Sequence, residues 1–292
     1  MPLKILRNEP LKKHTSLRIG GPADHFCAPK NTAELRAALA LAHDNRWPVA
    51  IIGAGTNLLA LDNGWSGLVI KLGGGLTRVT VRGRVVHAGA GLLLPRLLSA
   101  LNRRGLTGLE FLAGIPGTLG GAAVMNAGAW GAEIGRYIEQ VKVIDREGKL
   151  KVLDQAELGF GYRRSALQKG KYIVAEVVMK LRRGTPAAVR KKIGSFLAKR
   201  KTSQPLGSPN AGSVFKNPPG KFAGQLLEAA GFKGARAGDA QVSVKHANFI
   251  LNLGEAKARD VLKLMTRMQV AVSRKFKVRL EPELKIMIQS SR

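Results

Sequence analysis

Residues 108 to 131 read Gly-Leu-Glu-Phe-Leu-Ala-Gly-Ile-Pro-Gly-Thr-Leu-Gly-Gly-Ala-Ala-Val-Met-Asn-Ala-Gly-Ala-Trp-Gly, with seven glycines among small and apolar residues. Clustered glycine marks tight turns, or backbone pressed against a neighbour or a ligand. A flexible linker would look different, with serine in place of the apolar residues between the glycines. An ordinary core has no use for so much bare backbone. The stretch therefore predicts a chain wrapped around a large flat ligand that carries a diphosphate.

Upstream, Ile51-Ile52-Gly53-Ala54-Gly55-Thr56-Asn57-Leu58-Leu59 follows directly on a short apolar strand predicted over 48–52. Its glycines, with Thr56 and Asn57, offer backbone N–H groups and two side-chain donors, which suits a pyrophosphate. A tight strand-to-loop turn explains the same residues. The dinucleotide fingerprint G-x-G-x-x-G is absent, and no acidic residue follows about twenty positions on to hold a ribose.

Further out, the elements alternate. Helices are predicted over 33–45 with Thr32 as cap, over 93–104 stopped by Gly105, over 186–200 opened by Thr185-Pro186, over 221–230 and over 256–275. On the last of these, Val261, Leu264, Met265, Met268 and Val272 form one stripe, which reads as core packing. Strands are expected over 68–72, 172–181, 241–244, 248–252 and 278–288. Hairpins are expected around Gly83 and around Glu147-Gly148. This mixture predicts an α+β protein.

The chain has 292 residues, 45% of them apolar, enough for about two domains or three small ones. Lysine and arginine total 48 against 19 acidic residues, a net charge of +29. Such a protein attracts anions. The basic residues are spread along the chain, however, and no zinc-finger, zipper or aromatic RNA-binding pattern accompanies them, which argues against nucleic acid as its principal partner. The five histidines lack metal-ligand spacing, so no metal site is expected. The serine-hydrolase elbow and the Walker loop are absent. No apolar run reaches the roughly 18 residues of a membrane span. With a single cysteine, Cys27, and no apolar block at the N-terminus, a cytoplasmic location is expected.

Seven motifs occur in one order: HTSLRIGGPAD, GAGTNLL, GLEFLAGIPGTLGGAAVMNAGAWGAEI, FGYRRS, NAGSVFKNP, KHANFILN and LEPE. In these the chain resembles the MurB family, the UDP-N-acetylenolpyruvoylglucosamine reductases of bacterial cell-wall synthesis, from about His14 to Glu283. The resemblance implies a two-part FAD-binding unit of the vanillyl-alcohol-oxidase type (1–72 and 73–184), then a C-terminal α/β substrate-binding domain (185–292) whose last strand could return towards the active site. The short run from Arg163 to the strand at 172 resembles the shorter members, which lack an extra tyrosine-bearing loop. It also implies noncovalent FAD, NADPH as hydride donor, UDP-N-acetylglucosamine enolpyruvate as substrate, and no obligate protein partner.

Carried over by motif, Arg163 should clamp the substrate carboxylate, a task for a planar two-pronged donor. Ser213 should donate the proton and Glu283 should stabilise charge. Arg164 competes with Arg163, and Glu281 with Glu283, since strand alternation puts both glutamates on one face. Expected FAD contacts are Gly53, Ala54, Gly55, Thr56, Asn57, Gly114, Ile115, Pro116, Gly117, Thr118, Gly120, Gly121, Asn126 and Gly128. Expected substrate contacts are Tyr162, Lys216, Asn217, His246 and Lys285. Thr56 stands where the family has serine, and Lys285 where it has arginine. A flavin oxidase with a tethered cofactor is the rival reading, with His25 and Cys27 as the nearby anchors.

Overall fold

The computed structural model describes residues 3–288. The ends of the expected segments 1–72 and 185–292 fall outside the described residues. The chain forms two compact units. One holds the residues through Leu6 with His25–Ala54 and Gly67–Arg200; the other holds Arg7–Asp24, Gly55–Ser66 and the residues from Lys201 on.

The first unit is built on a five-stranded antiparallel sheet, in spatial order Leu150–Asp154, Ile138–Asp145, Tyr172–Lys180, Val85–Gly89 and Val79–Arg82. The hairpin Val79–Arg82/Val85–Gly89 closes through a two-residue loop that opens on Gly83 at φ +60°, a conformation glycine adopts without cost. Strand Val49–Ile52 runs parallel to strand Trp65–Lys71, with Val49 opposite Leu68 and Ile52 opposite Lys71. Helix Leu94–Arg103 places Leu94, Leu97, Leu98 and Leu101 in the core. Spacings of three and four residues put them on one face, and each buried leucine contributes about 1.5–3 kcal/mol. Helix Thr32–Asp44 is capped by Asn31, whose side chain accepts the Glu34 N–H at 2.9 Å, and not by Thr32 as expected. The expected helix 186–200 forms as Pro186–Ser203, and Thr185 accepts the Ala188 N–H as its cap.

A short helix that no periodicity announced, Leu119–Val124, lies inside the glycine-rich stretch. Thr118 caps it by accepting the Gly121 N–H, while the N–H groups of Leu119 and Gly120 bond to the carbonyls of Leu92 and Ala90. A Cβ on Gly120 would lie 2.8 Å from that of Ala90, so glycine is required for this approach.

The second unit carries a four-stranded antiparallel sheet, ordered Asn210–Ser213, Phe249–Asn252, Ala240–Val242, Arg236–Ala237. Helix Ala258–Phe276 has its Val261–Leu264–Met265–Met268–Val272 stripe buried, with Met265, the most open of the five, only 3% exposed. The expected strand 278–288 is shorter than the sequence suggests. Only Lys285–Met287 forms a ladder, parallel to Leu58–Ala60; residues 281–284 run instead beside 214–216, joined there by one bridge between Phe215 and Pro282. Among the described residues no helix is long and apolar enough to cross a membrane.

Candidate active site

In the first unit the two glycine-rich segments meet. Gly53 follows strand Val49–Ile52, and a Cβ there would lie within 2.4 Å of the Thr118 hydroxyl oxygen. The contact leaves backbone and one hydroxyl where side chains would otherwise stand. Gly53 is half-buried and Gly117, also half-buried, sits at φ +141°, so both segments present backbone without side chains, of the kind a flavin dinucleotide needs; Gly114 and Gly120 are instead packed against Arg200 and Ala90. The rival tethered cofactor finds no anchor at Cys27, which is 1% exposed with a thiol pKa pushed up to about 12 by burial and by the Glu34 charge. His25 lies face to face with Trp47 at 3.7 Å. The residues present therefore fit noncovalent FAD.

Two expected cofactor contacts have other work. Asn126 is 1% exposed. Its amide N–H groups go to Glu133 Oε2 at 3.0 Å and to the Gly161 carbonyl at 2.8 Å, and its oxygen accepts the Gly135 N–H. Its side chain is thus spent inside the protein. Asn57, in the second unit, donates from Nδ2 to the Glu283 carbonyl, and its own carbonyl accepts the Lys285 N–H. It ties the LEPE segment to the strand Leu58–Ala60. Gly55 has a packing reason as well: at φ +65°, a Cβ would lie 2.0 Å from the His14 carbonyl oxygen.

Tyr162 and Arg163 form the tip of a tight hairpin closed by reciprocal backbone hydrogen bonds between Gly161 and Arg164. Arg163 sits at φ +53°, a region that costs a non-glycine residue about 1–2 kcal/mol. Its Nη2 donates to the Gly128 carbonyl at 2.9 Å, and its guanidinium lies 5.2 Å from the Tyr162 ring centroid. Arg164 is exposed and Arg163 half-buried.

Arg200, which no motif flagged, is also in this unit, at 6% exposure. Its Nε donates to the Ala113 carbonyl, its Cδ lies against Gly114, and burial together with the Arg163 charge lowers its pKa.

In the second unit, Ser213 ends strand Asn210–Ser213 just after Gly212 at φ +75°, where the pairing register with strand Phe249–Asn252 shifts. Such irregularities re-aim side chains. The next residue, Val214, accepts the N–H groups of Glu283 and Leu284 at 2.8 and 3.2 Å, so the irregular segment that carries Glu283 runs beside the end of the Ser213 strand. Asn248, 3% exposed, clamps Phe215 from both sides by accepting its N–H and donating to its carbonyl. Lys216 holds Glu281 at 2.5 Å, and the Glu281 side chain is 70% exposed. The alternation expected to put Glu281 and Glu283 on one face fails here, because 281–284 is not regular strand; Glu283 is half-buried. Asn217 accepts the Ala223 N–H at the start of helix Ala223–Ala229. Lys285 is exposed at the start of its short strand.

His246 packs against Gly224, and its Nδ1 accepts the Asn248 N–H. That bond puts the proton of the neutral ring on Nε2. Burial holds its pKa below the ordinary 6.5. Between the folded pKa and 6.5 the unfolded chain therefore binds the extra proton, so stability rises with pH in that window and is lost as the pH is lowered through it. Melting curves from about pH 8 to about pH 5.5 should show a smaller acid-side loss for His246→Gln than for the parent. Parallel losses would show that His246 is not the titrating group.

Two family models match the sequence: an FAD binding domain over residues 23–154, and the C-terminal domain of UDP-N-acetylenolpyruvoylglucosamine reductase over residues 204–287. UDP-N-acetylenolpyruvoylglucosamine reductase 2 of Symbiobacterium thermophilum is 52% identical over 285 residues, covering 98% of this chain and 92% of that relative. The crystal structure of UDP-N-acetylenolpyruvylglucosamine reductase (MurB) from Thermus caldophilus superposes with a TM-score of 0.84 at 39% identity, over 98% of this chain and 99% of that one. At the level of fold alone, 6-hydroxy-D-nicotine oxidase from Arthrobacter nicotinovorans aligns with 62% of this chain and 42% of its own, at TM-score 0.50 and 15% identity. The meeting of the two glycine-rich segments, the Glu283 segment beside the Ser213 strand, and a likeness that runs the length of the chain lead to one family: this chain belongs to the UDP-N-acetylenolpyruvoylglucosamine reductases, the MurB family.

Proposed function

We infer that this chain is a flavin-dependent oxidoreductase that reduces UDP-N-acetylglucosamine enolpyruvate to UDP-N-acetylmuramate, with NADPH as hydride donor and FAD as carrier, in peptidoglycan precursor synthesis. The observation that carries this reading is the 52% identity to a named reductase along 98% of the chain. Bound FAD supplies the hydride relay between NADPH and the terminal enolpyruvyl carbon.

The protein's own residues handle charge and the proton. Arg163 clamps the substrate carboxylate, where negative charge gathers as hydride arrives at the neighbouring alkene. Ser213 gives its hydroxyl proton to the adjacent carbon, which completes the lactyl ether. Glu283 stabilises the charge from the segment that runs beside the Ser213 strand. Tyr162, Lys216, Asn217, His246 and Lys285 bind the nucleotide sugar. Gly53, Ala54, Gly55, Thr56, Gly114, Ile115, Pro116, Gly117, Thr118, Gly120, Gly121 and Gly128 hold FAD, while the side chains of Asn57 and Asn126 are bonded within the protein.

The functional division follows ligands rather than contacts: 1–72 and 73–184 for FAD, 185–292 for substrate. A cytoplasmic site of action, without an obligate protein partner, belongs to the same proposal, because NADPH and nucleotide sugars are cytoplasmic metabolites.

The test is anaerobic mixing. Purified protein is expected to be yellow, to bleach with NADPH, and to recover its colour on addition of the enolpyruvyl nucleotide. Protein that bleaches but is not reoxidised by that nucleotide would show that the substrate assignment is wrong.

A further inference from the structure

We propose that Asn126 is a positioning residue for Arg163: it bolts together the two hairpins between which the guanidinium is fixed. The inference rests on the reading of Arg163 as the carboxylate clamp. One hairpin pairs Gly128 with Glu133 and Ala129 with Ala132. Its turn residues Trp130 and Gly131 are both at positive φ, +57° and +78°, as a two-residue turn of the primed kind requires. The other hairpin is Gly161–Arg164, with Tyr162 and Arg163 at its tip.

Asn126 grips both. It donates to Glu133 in the first and to the Gly161 carbonyl in the second, while Gly135, just beyond the first, donates to its oxygen. A further bond between the hairpins runs from Arg163 Nη2 to the Gly128 carbonyl. Gly128 is two residues from Asn126 along the chain, and Gly161 is two residues from Arg163. The path from one buried amide to the guanidinium is therefore short at both ends.

Geometry explains why asparagine is needed. Asn126 sits at φ +43°, a region asparagine tolerates better than most side chains. Its amide presents two donors and an acceptor together, which a carboxylate or an aliphatic group cannot. Gln168 adds a lesser brace by donating to the Arg163 carbonyl and to that of Val124. Arg163 itself occupies a conformation disfavoured for a branched-free but bulky side chain, so its placement depends on such neighbours.

The test uses the FAD-loaded full chain. Asn126→Asp keeps the shape and the acceptor for the Gly135 N–H, but loses both donors and faces the Glu133 carboxylate. It should retain FAD and bleach with NADPH near the parent rate. Its reoxidation by the enolpyruvyl nucleotide should slow by about 10- to 100-fold, the cost of misplacing a reacting group by a fraction of an ångström to an ångström. Calorimetric affinity for UDP-N-acetylmuramate, whose carboxylate the clamp would also hold, should fall in parallel.

In an Arg163→Ala background the same substitution should add little to either loss, since there is no guanidinium left to position. A full additional loss in that background overturns the proposal, as does loss of FAD from Asn126→Asp. If Arg163→Ala alone leaves reoxidation unchanged, it is the clamp assignment that fails. Should Asn126→Asp not fold, Glu133→Ala, which removes one of the two acceptors from a half-buried position, enters the same cycle with the same expected coupling.

Discussion

Arg163→Lys is expected to slow reoxidation of the bound flavin by the enolpyruvyl nucleotide by roughly 10- to 100-fold, the equivalent of about 1.5–3 kcal/mol for a lost charged hydrogen bond. Its reduction by NADPH should be much less affected. Lysine keeps the positive charge, so long-range attraction for the substrate survives. It loses the planar fork, which can hold a carboxylate through two parallel bonds while still donating to the Gly128 carbonyl. A point charge on a flexible stem cannot do both. KM for the nucleotide should rise as kcat falls, because the clamp acts on bound substrate as well as on the charge that develops during the reaction. Arg164→Lys is the control. Arg164 takes part in the hairpin through its backbone, and its side chain is exposed, so the substitution should change little. Equal loss in both half-reactions for Arg163→Lys would point instead to a damaged shared pocket, and a larger effect at Arg164 would move the clamp there.

Local pattern made much of this fold legible, and it failed where partners are distant. The stripe on helix Ala258–Phe276 and the Thr185-Pro186 start of helix Pro186–Ser203 are decided within a few residues, and both formed as read. Helix Leu119–Val124 escaped because glycine at two of its six positions lowers helix propensity. Its formation depends on the Thr118 cap and on the contact of Gly120 with Ala90, neither of which periodicity reports. The last strand was overread for a similar reason. Its apolar residues continue through 278–288, but its parallel partner Leu58–Ala60 is only three residues long, and Pro282 lacks the N–H a ladder needs.

In the candidate site, the motifs did not distinguish residues left open towards a ligand from residues bonded inside the protein. Asn57, Asn126 and Asn248 all lie in motifs. Their bonds reach partners 226, 35 and 33 positions away, at Glu283, Gly161 and Phe215. Sequence spacing carries no trace of such bonds. Asn126 and Asn248, at 1% and 3% exposure with their amides engaged, can be recognised as supports only once burial is known, and Asn57, half-buried, only through its bond to the Glu283 carbonyl. The burial of Arg200 leaves no mark in the sequence either, because an arginine near the end of a basic helix reads like its exposed neighbours.

Ser213→Ala removes one hydroxyl and almost no volume, so it isolates the proton. A serine hydroxyl is a very weak acid and can donate only to a strongly basic atom; the enolate-like carbon left after hydride arrives is one. Placement matters as much as acidity. Gly212 at φ +75° and the register shift beside it set the direction of the Ser213 side chain, and the bonds from Glu283 and Leu284 to Val214 hold the next residue in place. Alanine should leave that backbone intact, because the hydrogen bonds that fix it are made by Val214 and Phe215. The variant should therefore melt near the parent temperature, bind FAD, and bleach with NADPH at a near-normal rate. Reoxidation by the enolpyruvyl nucleotide should slow by about 10²- to 10⁴-fold, the usual worth of a positioned general acid. Ser213→Cys, a stronger acid of similar shape, should recover part of that loss. In deuterated solvent the parent should show a solvent isotope effect on reoxidation, and Ser213→Ala should show a different one, since its proton would come from water or from the neighbouring Glu283. Reoxidation of Ser213→Ala at the parent rate would reduce Ser213 to a turn residue and pass the proton to Glu283 or to a bound water.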